Sequence, residues 1–220
     1  MWILALCAAV LTLWLSHAHL QASQKRRASR TKYFNEAASL FENVVTQIQP
    51  SGFARVTAHK NDHAFDLQAV QDTLTFRKLP ALWVMLTLPE ALPVKATLDI
   101  MMRPTGNEPF SKFASLPQSI ECPDFLPEGT ALRSDNASLI ETAYLRKHAR
   151  IFDDPCVKEL VISPKGLRLV ILAEEADRGR YLIFRDAEMG AEPIERARLT
   201  PLIETLLSLR TDILAMKETL

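Results

Sequence analysis

Two hundred and twenty residues, 48% of them hydrophobic and 24% charged, are enough for one domain with its own core or at most two small ones. That balance excludes a disordered chain. The formal net charge is zero, but Lys25, Arg26, Arg27, Arg30 and Lys32 stand near the N-terminus with no Asp or Glu among residues 1–32. The other 21 basic residues face 26 acidic ones, so residues 33–220 carry a net of about −5. A mildly acidic body lacks the clustered Lys and Arg that nucleic acid demands, and no nucleic-acid partner is expected.

Met1 to Leu15 (MWILALCAAVLTLWL) is apolar except for Thr12, and Ser16, His17 and His19 interrupt it before Leu20. The stretch falls between a signal-peptide core and a full spanning helix. No Lys or Arg precedes it, whereas Lys25, Arg26, Arg27 and Arg30 follow it, the arrangement of a retained anchor. Trp2 and Trp14 sit near its two ends, where aromatic rings tolerate the interface. Cleavage at Ser16-His17-Ala18 is the competing outcome. Residues 1–20 are therefore read as a transmembrane anchor that contacts membrane lipid. The charge bias puts the N-terminus outside and the domain in the cytosol, as in a bacterial inner-membrane protein.

Residues 21–50 read as a basic junction and an amphipathic helix, because Phe34, Ala37, Phe41, Val44 and Ile48 are spaced 3, 4, 3 and 4 apart. Pro50 and Gly52 end it. Phe34 and Phe41 on that face are candidate contacts for a protein partner or for a second copy of the chain. Residues 51–220 then read as a soluble α+β domain.

Residues 54–58 and 65–69 alternate in polarity around Lys60-Asn61-Asp62, which is a hairpin signature. Leu82 to Leu88 is a buried strand, and Val94 to Arg103 a fourth, so the short connections predict a four-strand antiparallel meander. From Pro104 to Gly129 five of the 13 prolines exclude regular structure except a turn around Phe110 to Leu116. Phe110, Phe113 and Phe125 predict that this loop packs over the sheet. A short strand at 131–133 and a helix from Ser138 to about Asp153 come next, with Ser138 and Glu141 as a capping box and Leu139, Ile140, Ala143 and Tyr144 as its inner face. Three strands follow, at 157–162, 167–173 and 181–185. Thr200-Pro201 then predicts the start of a last helix, with a stripe of Leu202, Leu206, Leu209, Ile213, Met216 and Leu220. Few helices and many antiparallel strands make the class α+β.

The residues offer little chemistry. His59 and His63 are four apart, with Asp62 and Asp66 close by, and on a helix that spacing would gather a metal. Here it falls on a hairpin, and position 60 is Lys rather than the Glu of a zinc protease. His59, Asp62 and His63 are thus the candidate metal ligands, with solvated turn residues as the plain alternative. Cys122 and Cys156 have no cation or histidine on their own element to lower a thiol pKa, and two carboxylates precede Cys156. Reduced, structural thiols are expected. Arg133-Ser134-Asp135-Asn136 reads as helix capping, since Asp135 would repel an anion, and Arg178-Gly179-Arg180 as a solvated turn. No phosphate loop, dinucleotide fingerprint, nucleophile elbow or CxxC pair is present, so no cofactor is expected. The reading that follows is a membrane-anchored interaction or accessory module. A membrane-bound metal-dependent hydrolase and an envelope-facing binder of lipid or cell-wall material are the alternatives.

Overall fold

Helix α1 runs unbroken from Trp2 to Thr31 in the computed structural model, which describes residues 2–73, 79–185 and 187–218. Among the described residues it is the one helix long and apolar enough to cross a membrane, and its apolar window is wholly unburied. Trp2, Ile3, Leu6, Val10, Leu11, Leu13 and Trp14 all stand exposed, so nothing in the folded domain covers this surface.

The rest of the chain forms one nine-stranded sheet covered mainly on one face by helix, the α+β class that the strand pattern predicts. Its strands are β1 (Glu42–Ile48), β2 (Ala54–Lys60), β3 (His63–Asp72), β4 (Ala81–Leu88), β5 (Leu98–Met102), β6 (Gln118–Ile120), β7 (Thr130–Ser134), β8 (Val157–Ser163) and β9 (Gly166–Glu175). Every neighbouring pair is antiparallel, in the order β1-β2-β3-β4-β9-β8-β5-β7-β6. Cross-strand partners Val56, Leu67, Leu86, Leu169, Leu160, Ile100 and Leu132 make one unbroken apolar row across seven strands, and all are buried. Helix α4 (Arg196–Glu218) lies on that face, with Leu199, Leu202, Leu206, Leu209 and Ile213 in the same core.

The β2–β3 hairpin closes on Asn61 and Asp62, both with positive φ, which is the backbone a two-residue turn of matching twist needs. The β8–β9 turn depends on Gly166. Its φ is +129°, and an added Cβ would overlap the Leu88 carbonyl oxygen, so no other residue fits without moving backbone.

Several local expectations differ from the fold. The residues spaced as a helix over 34–48 instead make a four-residue helix α2 (Asn35–Ala38) and strand β1. The β-branched run Val44-Val45-Thr46 favours a pleated strand, and a β2 partner is available. Thus Tyr33, Phe34 and Phe41 belong to the same core as residues 53–213.

The meander is β1 to β4, and β5 is not its neighbour. The β8–β9 hairpin stands between β4 and β5. The connection 89–97 steps over three strand spacings, about 14 Å, well within the reach of nine extended residues at roughly 30 Å. Short length therefore did not force the two strands to pair.

The segment from Ser138 to Asp153 is two 3-10 helices, Ala137–Leu139 and Ala143–Asp153, rather than one α-helix. The Ser138 hydroxyl donates to Asn136 Oδ1 (2.7 Å) and caps nothing. Leu145, His148 and Phe152 form the buried face, while Leu139 is exposed. The third expected strand is helix α3 (Arg178–Phe184), capped by Asp177 Oδ1, which accepts from the Arg180 N–H at 2.6 Å. Finally, α4 begins at Arg196, so Thr200 sits inside it with its hydroxyl donating to the Arg196 carbonyl at 3.0 Å. Leu220, the end of the expected stripe, lies outside the described residues.

Candidate functional site

The sheet's second face positions the site. Because side chains alternate, the cross-strand row Asp99, Val161, Arg168, Thr87, Asp66 and Thr57 points away from α4. Beside it runs a second row, Met101, Glu159, Val170, Met85, Gln68 and Arg55. The proline-rich loop covers only part of this face. Phe110 lies against Trp83 with ring centroids 4.9 Å apart, and Phe110 and Phe113 cluster with Met101 and Val170. The uncovered part is a cleft of about 720 Å³, walled by Lys112, Ser115 and Leu116 of the loop and by the Pro164-Lys165 turn, with Asp99, Thr87, Asp66 and Arg168 on its floor.

Charges on this face of the sheet are arranged as two diagonal pairs. Arg55 grips Asp66 with two hydrogen bonds of 2.7 and 3.0 Å. Arg168 donates to Glu159 Oε2 at 3.0 Å, and the Ser111 hydroxyl donates to Glu159 Oε1, which pins the loop to the sheet. Ser111 Oγ in turn accepts the Phe113 N–H at 2.9 Å, so this hydroxyl is engaged on both sides. Glu108 accepts from Thr105 and Gly106 and lies 3.4 Å from Lys158 Nζ. Burial disfavours the Glu108 charge, but the Thr105 donors and Lys158 outweigh it and hold its pKa below the usual value.

Two carboxyls are perturbed the other way. Asp99 is 2% exposed and Glu159 0%. Burial, then the neighbouring Glu159 charge, pushes the Asp99 pKa up to about 8 against the opposing pull of Arg168. Burial also raises Glu159, while Arg168 and the Ser111 hydroxyl act against it. Among the described residues, Asp99 Oδ1 and Arg168 Nε are buried without a hydrogen-bond partner. Both belong to residues that line the cleft, so an acceptor or acid and a donor lie unpaired just beneath its floor.

The sequence-derived candidates are dispersed. In an antiparallel hairpin His59 pairs with Ala64 and His63 with Lys60, which puts the two imidazoles on opposite faces. His63 Nδ1 lies 3.3 Å from Glu90, itself gripped by Arg210, while Asp62 is an exposed turn residue. Among the described residues no three His, Cys, Asp or Glu gather as a metal would require. Phe34 stacks edge-on to Tyr33 at 5.3 Å and Phe41 packs on Phe65 at 5.5 Å, so both are interior. The hydrophobics that do stand exposed in this region are Val44, Val45 and Ile48 on edge strand β1.

Trp2 and Trp14 are exposed on α1, as are Lys25 and Arg27, and Arg26 is half-buried. Arg30 instead docks α1 on the domain. It lies over the Phe53 ring at 5.2 Å and donates to the Met189 and Ser51 carbonyls. Cys7, Cys122 and Cys156 are free thiols. Asp99, Glu159 and Arg168 carry a signal that residue motifs do not register, namely charge inside a largely apolar strand (LDIMM, VKELVI with Lys158 beside Glu159, GLRLVIL).

No protein-family model matches the chain, and no curated protein matches it. Among solved structures it is similar to the mycobacterial trehalose monomycolate transport factor A, TtfA, at 8% identity and a TM-score of 0.42, over 84% of this chain and 92% of that one. A likeness of that size carries no inference about function.

Proposed function

We propose that this protein is a membrane-tethered binding module, with α1 in the bilayer and the α+β domain offering the second-face cleft to a partner or ligand. One observation carries the reading: a helix whose membrane-length apolar window is unburied runs without a break into a folded unit. The docking of Arg30 on Met189, Ser51 and Phe53 makes the junction a fixed mount rather than a loose linker. Lys25, Arg26 and Arg27 precede that mount, and each basic residue adds on the order of 1 kcal/mol of attraction to an anionic leaflet. Their position favours a cytosolic domain. The cleft supplies a site for recognition through Asp99 and Arg168, and the Ser111 hydroxyl beside them on Glu159 is already engaged on both sides.

Membrane extraction tests the tether. Leu6→Arg with Val10→Arg puts two charges in mid-helix at roughly 3 kcal/mol each. The wild-type chain is expected to stay in the pellet after an alkaline carbonate wash, and the double variant to move to the supernatant. Wild-type protein released by carbonate would refute the anchor. Orientation is read separately with C-terminal fusions: a fluorescent protein should light up, and alkaline phosphatase should stay inactive. The opposite pair of results would put the domain in the envelope.

A further inference from the structure

We infer that helix α3 is a second membrane contact, laid into the headgroup boundary of the same bilayer that receives α1, an inference that rests on the membrane reading of α1. Helix α3 has the sequence RGRYLIF, and its apolar tip faces solvent, with Leu182 57% and Ile183 74% exposed. Arg178, Arg180 and Arg185 flank that tip with no carboxylate among residues 178–185. A core-packed helix buries its leucines and isoleucines. Here the two aliphatic side chains have no cover, while their cationic neighbours surround them.

Position identifies what covers them. Arg180 pairs with Glu188 at 2.7 Å, and the chain just beyond, at Met189 and Gly190, packs against Arg30 in the last turn of α1. Ile194 N–H then donates to the Tyr33 carbonyl at 2.9 Å. The α3 segment is therefore fastened beside the base of α1, the end of the domain that faces the bilayer if α1 inserts. Arg30 lies ten residues beyond Leu20, about 15 Å along a helix. The headgroup layer takes up about 5–7 Å of that distance. Tilt of α1 shortens the gap further.

The chemistry matches a lipid surface better than a protein groove. Amphipathic segments seat aliphatic side chains about 5–10 Å into the headgroup and acyl boundary while arginines meet the phosphates. Three of the described acidic residues nearby are engaged within the domain: Asp177 caps α3, Glu188 holds Arg180, and Glu174 accepts the Gly190 N–H at 2.9 Å. With two contacts, the domain would hang from the membrane in one fixed orientation and not swivel about a single helix.

Site-directed fluorescence on the full chain tests this. In a background with Cys7, Cys122 and Cys156 changed to Ser, an environment-sensitive dye is attached at Ile183→Cys, at Leu11→Cys or at Gln118→Cys. Gln118 lies on β6, the sheet edge opposite β1. Each protein is reconstituted into vesicles of phosphatidylcholine and phosphatidylglycerol that carry nitroxide lipids labelled near the headgroup and, in a parallel sample, deep in the acyl chain, which read positions 183 and 11 respectively. The dyes at 11 and 183 are expected to lose roughly half their emission or more, and the dye at 118 little. Quenching at 11 without quenching at 183 overturns the α3 contact and leaves the tether standing. Absence of quenching at 11 overturns the tether itself. A spectral shift at 183 that follows protein concentration rather than lipid assigns the patch to a second copy and overturns the inference as well.

Discussion

Replacing Glu159 with alanine is expected to cost about 3 kcal/mol of folding stability, the lower end of the range for breaking a buried ion pair. The carboxylate is fully buried and holds two partners, Arg168 on β9 and Ser111 in the proline-rich loop. Removing it leaves the Arg168 guanidinium, whose Nε already lacks a partner, without its one carboxylate bond. Two factors keep the loss from the upper end: the Arg168 side chain retains 24% exposure, and Asp99 is close enough to take up part of its charge. Ser111→Ala removes only the loop pin and should cost about 1 kcal/mol. Urea unfolding in detergent micelles measures both. Glu159→Ala should also open the loop to protease, since Phe110 and Phe113 then cover Met101 and Val170 without their polar anchor. A loss below that of Ser111→Ala would show that the acid cluster does not hold the loop.

How far the sequence discloses this architecture depends on the range of the signal. Strands 54–60, 63–72, 81–88, 157–163 and 166–175 alternate or run apolar over several residues, and their turns are marked by Asn61-Asp62 and Pro164-Lys165-Gly166. Local chemistry sufficed there. It failed where two periodicities overlap. Phe34, Ala37 and Phe41 are core residues at helical spacing, yet the backbone between them changes from helix to strand because Val44 to Ile48 find β2 as a partner. Residues 181–185 are apolar enough for a strand, but Asp177 caps a helix turn instead and leaves Leu182 and Ile183 outside. Strand order is a nonlocal property, so nothing in residues 89–97 reveals that the β8–β9 hairpin will enter beside β4.

The candidate site was hidden for the same reason. His59 and His63 stand out as a pair in the sequence and are separated by the pleat, whereas Asp99, Glu159 and Arg168 are dispersed in the sequence and are joined by strand register. What was visible was charge among apolar neighbours: Asp99 in LDIMM, the adjacent Lys158 and Glu159 in VKELVIS, and Arg168 in GLRLVIL. A carboxylate in a buried strand must find a partner or a proton.

Asp99→Asn tests which of those two it finds. In the unfolded chain the Asp99 pKa is about 3.9, and in the fold it rises to about 8. A raised pKa means that the folded state binds the proton more tightly. The resulting stabilisation is complete below about pH 4, fades as pH climbs through the interval to 8, and is gone above it. Asn has no such proton to lose. The stability of Asp99→Asn relative to wild type is therefore expected to improve as pH rises from 5 to 8.5, by on the order of 2–3 kcal/mol once sharing of the charge with Glu159 and Arg168 is allowed for. Glu90, Glu108 and Asp212, whose pKa values are lowered, act only at the acid end and are common to both proteins. Parallel urea titrations at the two pH values measure the difference. Equal pH dependence in the two proteins would mean that Asp99 is ionised throughout, with Arg168 as its partner, and the cleft floor would then present a fixed ion pair rather than a neutral acid to any ligand.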